Sequence, residues 1–255
     1  MDFFTIFFKS TRGVVIGLCF AVIVFSVGCP DTFVMPDQVI DGHVHLTAVL
    51  GQGSSDYDEA AQVAIARMEE MGITRSIILP TPFPDDWPQA YDADPLAEVV
   101  KKYPESFSFI AGGGSLNVLI QQAINGQTMT DQELESAALA FLAKGAVGFG
   151  ELAAEHIVVG GTEPYIHAPP NHALFKKLAD IAAEHNFPMD IHMEAVPEDM
   201  PIPPQFDSPK NPDTLKENIS LFEELLAYNT DAKIIWAHGD GIPPVNGRLL
   251  SVFNF

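Results

Sequence analysis

Apolar and polar positions follow two alternating patterns along the chain from about residue 39 onward. Short runs rich in β-branched and aromatic residues are typical of strands. They fall at 39–45, 76–80, 108–112, 146–152, 187–193 and 233–238. Helical spacing of apolar residues separates them, at 58–71, 95–103, 131–144, 171–185 and 213–228. Because strands that alternate with helices are joined by crossovers, the pattern predicts an α/β fold with a parallel sheet. Periodicity alone leaves open whether that sheet is flat or closed.

The segment 131–144 illustrates the local signals. Thr130 is a good N-cap, and Glu133 stands at the third helical position, where it completes a capping box. Gly145 then ends the helix and admits the next strand.

Residues 1–28 follow a different pattern, typical of an export signal. Lys9 and Arg12 precede an uncharged apolar run at 13–27, which is too short for most membrane spans. The run ends in Ser26-Val27-Gly28-Cys29, which resembles the lipobox of bacterial lipoproteins, although Ser26 departs from the leucine common at that position. The resemblance implies lipidation of Cys29 and a domain at 29–255 tethered to the bacterial cell envelope, on the periplasmic or outer surface. Ordinary signal cleavage and an uncleaved anchor are the alternatives.

Charge narrows the choice of partners. The chain has 34 acidic against 13 basic residues and a formal net charge of −21. So acidic a surface argues against nucleic acid and anionic lipid head groups as ligands. A small-molecule substrate stays compatible with it, because a bound metal ion dominates its local field.

Side chains suited to metal binding stand where the predicted strands end. His43 and His45 end the first strand, and residues two apart on a strand face the same way. Glu151 ends the fourth strand, His192 the fifth and His238 the sixth. In a (β/α)8 barrel the carboxyl ends of the strands converge on one mouth, where active sites form. A closed barrel would therefore gather these imidazoles and the carboxylate into one ring of metal donors.

Four short motifs at these strand ends resemble the amidohydrolase superfamily of metal-dependent TIM-barrel hydrolases, and its amidohydrolase-related branch in particular. The motifs are Asp41-Gly42-His43-Val44-His45, Gly148-Phe149-Gly150-Glu151-Leu152, Asp190-Ile191-His192 and Trp236-Ala237-His238-Gly239. The resemblance implies a (β/α)8 TIM barrel.

The resemblance also implies roles for the five residues. His43 and His45 would bind the more buried metal, and Glu151 would ligate it and bridge to a second ion. His192 and His238 would hold that second ion where there are two. In one-metal members His192 stays a ligand while His238 polarises the substrate. The resemblance implies a divalent metal as cofactor, most often zinc, with one or two ions bound. It also implies that Glu151 and His238 are the catalytic residues.

Zinc lowers the pKa of a bound water from about 15.7 towards 7 and polarises the group under attack. The implied reaction is therefore hydrolysis of a C–N or C–O bond in an amide, lactone or ester. A decarboxylase or other lyase is the alternative within the same branch, and a lipid-anchored binding protein without catalysis is the alternative outside it.

Other polar residues near the strand ends have secondary roles in this interpretation. Asp41 and Asp190 share strand parity with the histidines beside them and would orient imidazoles; the alternative for both is hydrogen bonding to loop backbone. His156 and His167 lie in the loop after Glu151, over the expected mouth, where substrate contact is expected.

The sequence departs from the family pattern near Phe255. About six of eight βα units are recognisable, and the family's general base, an aspartate that ends the eighth strand, has no counterpart. We expect a C-terminally truncated barrel, with Asp240 as an alternative base. A genuinely shortened protein would need a partner or self-association to form a homo-oligomer that covers the open edges.

Overall fold

The computed structural model describes residues 6–7, 39–46, 56–83, 91–159 and 163–238. Apart from 6–7, the predicted signal peptide lies outside the described residues, as do Cys29 and Asp240. Among the described residues, no helix combines the length and the apolar character needed to cross a membrane.

Strands and helices alternate along the described chain. The strands are β1 (Ile6–Phe7), β2 (Ile40–Val44), β3 (Arg75–Ile78), β4 (Phe107–Phe109), β5 (Ala111–Gly112), β6 (Phe149–His156), β7 (Ile166–His167), β8 (Pro188–Met193), β9 (Met200–Pro201), β10 (Thr214–Leu215) and β11 (Lys233–Ala237). The helices are α1 (Tyr57–Met71), α2 (Ala93–Lys102), α3 (Leu116–Ile124), α4 (Asp131–Ala143), α5 (Ala173–Glu184) and α6 (Ile219–Tyr228), with a 3-10 turn at Pro204–Phe206.

The main strands are parallel and stand in chain order. One sheet runs β2-β3-β4 and the other β5-β6-β8-β11, with parallel pairing throughout. Ile110 links the two sheets, because its N–H donates to the carbonyl of Ile78 at 3.1 Å, while Val147 N–H donates to Phe109 O at 2.8 Å. β4 and β5 thus act as one interrupted strand.

This order identifies the fold class. In a (β/α)8 barrel successive strands follow one another around the sheet, whereas doubly wound sheets reverse direction at a switch point. The main strands do not reverse, so the fold is that of a (β/α)8 TIM barrel. β2 and β11 do not pair with each other, and the barrel is open in the described part of the chain.

Four short strands, β1, β7, β9 and β10, pair antiparallel outside the main sheets. β1 pairs antiparallel with β2, and β7 pairs antiparallel with the end of β6. β9 and β10 form a small hairpin within the proline-rich segment that follows β8.

The apolar core lies between the sheet and its helices. Phe107 and Phe149 are fully buried on the strands, and Leu96, Leu134 and Phe175 are fully buried on helices that cover them. Each such side chain contributes about 1.5–3 kcal/mol through removal from water. This packing fixes the strands, and with them the positions of their carboxyl ends.

The six predicted main strands and the helices α1, α2, α4 and α5 are present within a few residues of their predicted bounds. One helical prediction is wrong at its start, and one helix was missed. The helix predicted at 213–228 begins only at Ile219, because Thr214 and Leu215 pair with Pro201 and Met200 instead. Helix α3 was not predicted: it is only nine residues long, mostly apolar and preceded by three glycines, and so short an apolar run does not distinguish a helix from a buried strand.

The capping box of α4 gives a test of local stability. Glu133 N–H donates to Thr130 Oγ1 at 3.2 Å, and Thr130 N–H donates to the Glu133 carboxylate at 2.8 Å. We expect Thr130→Ala to lower the free energy of unfolding by about 1 kcal/mol, because the N–H of Glu133 loses the side-chain oxygen that accepts from it. Urea denaturation of the full chain measures this. Thr128→Ala, the same change at an exposed position two residues earlier, is the control and should cost little; equal losses in both variants would contradict the capping role.

Candidate metal centre

Two imidazoles meet at the carboxyl end of β2. His43 lies on the strand and His45 just beyond it, and their side chains share one face because they are two residues apart. Their Nε2 atoms are 3.3 Å apart.

The outer nitrogens of these two rings are already engaged. His45 Nδ1–H donates to the carbonyl oxygen of Leu79 at 3.0 Å, and a carbonyl can only accept. His43 Nδ1–H donates to Asp190 Oδ2 at 3.1 Å. When each ring is neutral, its proton is on Nδ1 and the lone pair of Nε2 points inward. Both rings therefore present a bare nitrogen to the same small space.

The carboxylate of Glu151 lies at the centre of the cluster and is 1% exposed. Its Oε2 is 3.1 Å from His45 Nε2, and its Oε1 is 3.6 Å from His43 Nε2. Oε1 also lies 2.5 Å from His192 Nδ1 and 3.4 Å from His238 Nε2. The structure thus brings together the five residues that the sequence placed at four different strand ends. The prediction that Glu151 ends its strand is wrong, because β6 continues past it to His156.

These side chains form two overlapping groups that could hold a metal ion. His43, His45 and Glu151 make one, and Glu151, His192 and His238 make the other; in each, the donor atoms lie within 4.8 Å of one another. A tetrahedral ion with bonds of about 2.0–2.1 Å has ligand atoms roughly 3.3 Å apart. The three nearest-atom separations in the first group match this value to within a few tenths of an ångström. Imidazole and carboxylate donors at this spacing fit a divalent ion such as zinc.

Charge pairing dominates the protonation of the cluster. Burial raises the pKa of Glu151, but the surrounding imidazoles outweigh it and hold that pKa well below its ordinary value. Burial lowers the pKa of His43, and the charges of Glu151 and Asp190 outweigh this and raise it to about 9. The pKa of His192 rises to about 10 against the same effect of burial, because of Glu151 and Glu194. In the metal-free chain His43 and His192 are therefore positively charged at neutral pH.

The two aspartates take different positions. Asp190 reaches across to His43 on β2 rather than to its own neighbour His192, and it is fully buried. Asp41 Oδ1 accepts from the backbone N–H of His43 at 3.2 Å. Asp41 therefore binds backbone, which was the alternative to orienting an imidazole.

His156 and His167, predicted in the loop after Glu151, lie instead at the end of β6 and on β7, and only His156 is near the cluster. The ring of His156 lies 5.0 Å from the ring of His192, at the edge of the cluster, and its Nδ1–H donates to Pro164 O at 2.9 Å. His167 instead contacts Glu155, with Nδ1 at 2.6 Å from Oε2, and stacks on Tyr165. Its placement depends on the pairing of β7 with β6, which loop composition does not reveal.

Sequence reasoning missed Glu194. Its Oε1 lies 3.3 Å from His192 Nε2, and its Oε2 accepts from the N–H of Ile157 at 3.3 Å. The signal was present in His192-Met193-Glu194, which has the same spacing as His43-Val44-His45.

The raised pKa values predict how the stability of the metal-free chain depends on pH. The shifts of His43 to about 9 and of His192 to about 10 stabilise the fold fully below about pH 6.5, the unfolded value. We expect the free energy of unfolding to fall, by on the order of a few kcal/mol, as pH rises from 6.5 to 10. Urea denaturation after chelator treatment measures it. Glu151→Gln removes a charge that raises both pKa values and should flatten the profile; an equally steep loss in that variant would contradict the assignment.

No protein-family model matches the chain, and no curated protein matches its sequence. Solved structures similar to it include a protein described as a probable 2-pyrone-4,6-dicarboxylic acid hydrolase from Acinetobacter baumannii with citric acid bound, at 16% identity and a TM-score of 0.35 over 61% of this chain. Another is described as amidohydrolase II, at 14% identity and a TM-score of 0.36 over 76% of this chain. The chain spans 49% of the first structure and 65% of the second. The assignment of the fold rests on the strand order described above.

Proposed function

We propose that this chain is a metal-dependent hydrolase of the amidohydrolase type, which uses a metal-activated water to cleave a C–N or C–O bond in a small amide, lactone or ester. One observation carries the proposal. Donors from four strands converge, and the inner Nε2 atoms of His43 and His45 lie 3.3 Å apart beside the buried carboxylate of Glu151. A buried carboxylate in so compact a set of donors needs positive charge beside it, which a divalent metal ion would supply.

The donor set supports specific metal ligands. His43, His45 and Glu151 would hold one ion, and Glu151 with His192 and His238 would hold a second where two are bound. Zinc suits imidazole and carboxylate donors. A bound divalent ion would lower the pKa of a water molecule towards neutrality and polarise the group to be attacked.

Three residues of the cluster have separate roles in the proposed reaction. Glu151 is shared by both donor groups and so fixes their separation. Asp190 holds the ring of His43 through its Nδ1–H. His238 has the most exposed side chain of the four histidines, at 47%, and is therefore the one that an incoming carbonyl oxygen would meet. We assign it the role of orienting and polarising the substrate.

The cell-envelope location is part of the same proposal. The basic residues, apolar run and cysteine of the N-terminal segment support export and anchoring through lipidated Cys29. The hydrolase would then act on small molecules outside the cytoplasm.

Metal content tests the ligand assignment directly. We expect the double variant His43→Ala, His45→Ala to lose the metal bound by the first group, since only the Glu151 carboxylate would be left there. Elemental analysis of the purified full chain, after dialysis against zinc and then buffer, gives the stoichiometry. His185→Ala is the matched control, because His185 is exposed at the end of α5. Unchanged zinc in the double variant would rule out the assignment.

Turnover tests the reaction class. We expect the full chain to hydrolyse members of a panel of nitrophenyl esters, nitroanilides and lactones after zinc loading, and not after chelation. His238→Ala should lower kcat by about 10²–10³-fold, the usual effect of losing one donor that stabilises developing charge. Absorbance of the released nitrophenol or nitroaniline, and pH-stat titration for lactones, measure the rates. Zinc binding without turnover would favour a binding protein, and release of carbon dioxide from a carboxylated substrate would favour a lyase.

A further inference from the structure

Glu194 stands against the outer nitrogen of His192, at the carboxyl end of β8. Its Oε1 is 3.3 Å from His192 Nε2, while His192 Nδ1 faces Glu151 Oε1 on the other side of the ring. The Glu194 side chain is 18% exposed, so it lies at the rim of the cluster rather than in bulk water. His192 is thus held between an inner and an outer carboxylate.

Each of the three most buried histidines of the cluster has a hydrogen-bond acceptor at the ring nitrogen that faces away from the centre of the cluster. His43 gives its outer N–H to Asp190, and His45 gives its outer N–H to Leu79 O. Without Glu194, no described hydrogen-bond acceptor would take the Nε2–H of His192. A ring without that contact could rotate, or carry its proton on the nitrogen that faces Glu151. An outer partner of this kind usually changes metal affinity by about 10–100-fold.

The backbone around Glu194 is fixed independently of its side chain. Asn218 Nδ2–H donates to Glu194 O at 2.9 Å, and Asn218 Oδ1 accepts from Val196 N–H at 2.9 Å. The Asn218 N–H also donates to Val196 O at 3.0 Å. This clamp is buried, since Asn218 is 1% exposed. The clamp therefore fixes the backbone from which the Glu194 side chain extends towards His192.

The second carboxylate oxygen is fixed as well. Oε2 accepts from Ile157 N–H at 3.3 Å, just beyond the end of β6. A carboxylate can accept both N–H groups at once, one on each oxygen. Glu194 therefore joins the ends of β6 and β8 while it faces the imidazole.

We propose that Glu194 is a positioning residue of the metal centre: it accepts the Nε2–H of His192 and so directs the Nδ1 lone pair of that ring to the ion shared with Glu151 and His238. This inference rests on the proposed metal-dependent function. It assigns Glu194 no contact with the substrate.

The hydrogen bond is tested first in the metal-free full chain. Nuclear magnetic resonance of ¹⁵N-labelled histidine rings reports the His192 Nε2–H, which is assigned by its absence in His192→Gln. We expect a slowly exchanging proton in the wild type and exchange about tenfold faster or more in Glu194→Ala, because a hydrogen bond to a charged group is lost. No protected proton in the wild type, or an equally protected proton in Glu194→Ala, would overturn the proposal.

Zinc affinity is the second readout, by competition with a chromophoric zinc chelator. Glu194→Ala should weaken the zinc held by His192 about 10–100-fold. Glu194→Gln keeps the shape but has only one accepting oxygen, so its affinity should fall between the two. Glu198→Ala, at an exposed glutamate four residues on, should match the wild type.

The outcomes separate this inference from the proposed function. Wild-type affinity in both Glu194 variants overturns the positioning role alone. A wild-type chain that binds no zinc overturns the proposed function, and this inference with it. If Glu194→Ala also loses the zinc held by His43 and His45, the variant has damaged the fold in general. That result would count against a role specific to His192.

Discussion

The burial of one carboxylate governs this structure. Glu151 is almost fully removed from water, and an isolated buried carboxylate would cost several kcal/mol. The structure offsets that cost by surrounding the carboxylate with four imidazoles from three other strand ends. The fold has to hold those strands in place, because loss of His43 or His192 would remove positive charge that compensates the carboxylate.

Parallel strands in chain order satisfy this requirement only when the sheet curls. β2 and β11 stand at opposite ends of the strand order, and in a flat sheet five spacings of about 4.8 Å would separate them by about 24 Å. Yet the ring centroids of His43 and His238 are 5.5 Å apart. Barrel curvature therefore assembles the cluster, which explains why residues almost 200 positions apart in sequence share one carboxylate.

Much of this arrangement could be predicted from the sequence, because it depends on strand parity and strand ends. His43 and His45 had to face the same way, and Glu151, His192 and His238 each ended a predicted strand whose pattern was clear. The partners between strands could not be predicted. Asp190 orients His43 rather than His192, since parity tells which face a side chain occupies and not what lies opposite. Helix α3 was missed for a different reason, because a nine-residue, mostly apolar run is too short to separate helical from strand periodicity.

The protonation of the cluster connects the metal-free chain to the metal-bound form. At neutral pH the carboxylates are balanced by protons on His43 and His192, whose pKa values are raised to about 9 and 10. A divalent ion bound by these donors would need neutral imidazoles, so it would displace those protons and supply equivalent positive charge to Glu151. The two states would then have similar charge within the same set of donors. Protons on His43 and His192 thus stabilise, in the metal-free chain, the same buried carboxylate that the proposed ion would bind.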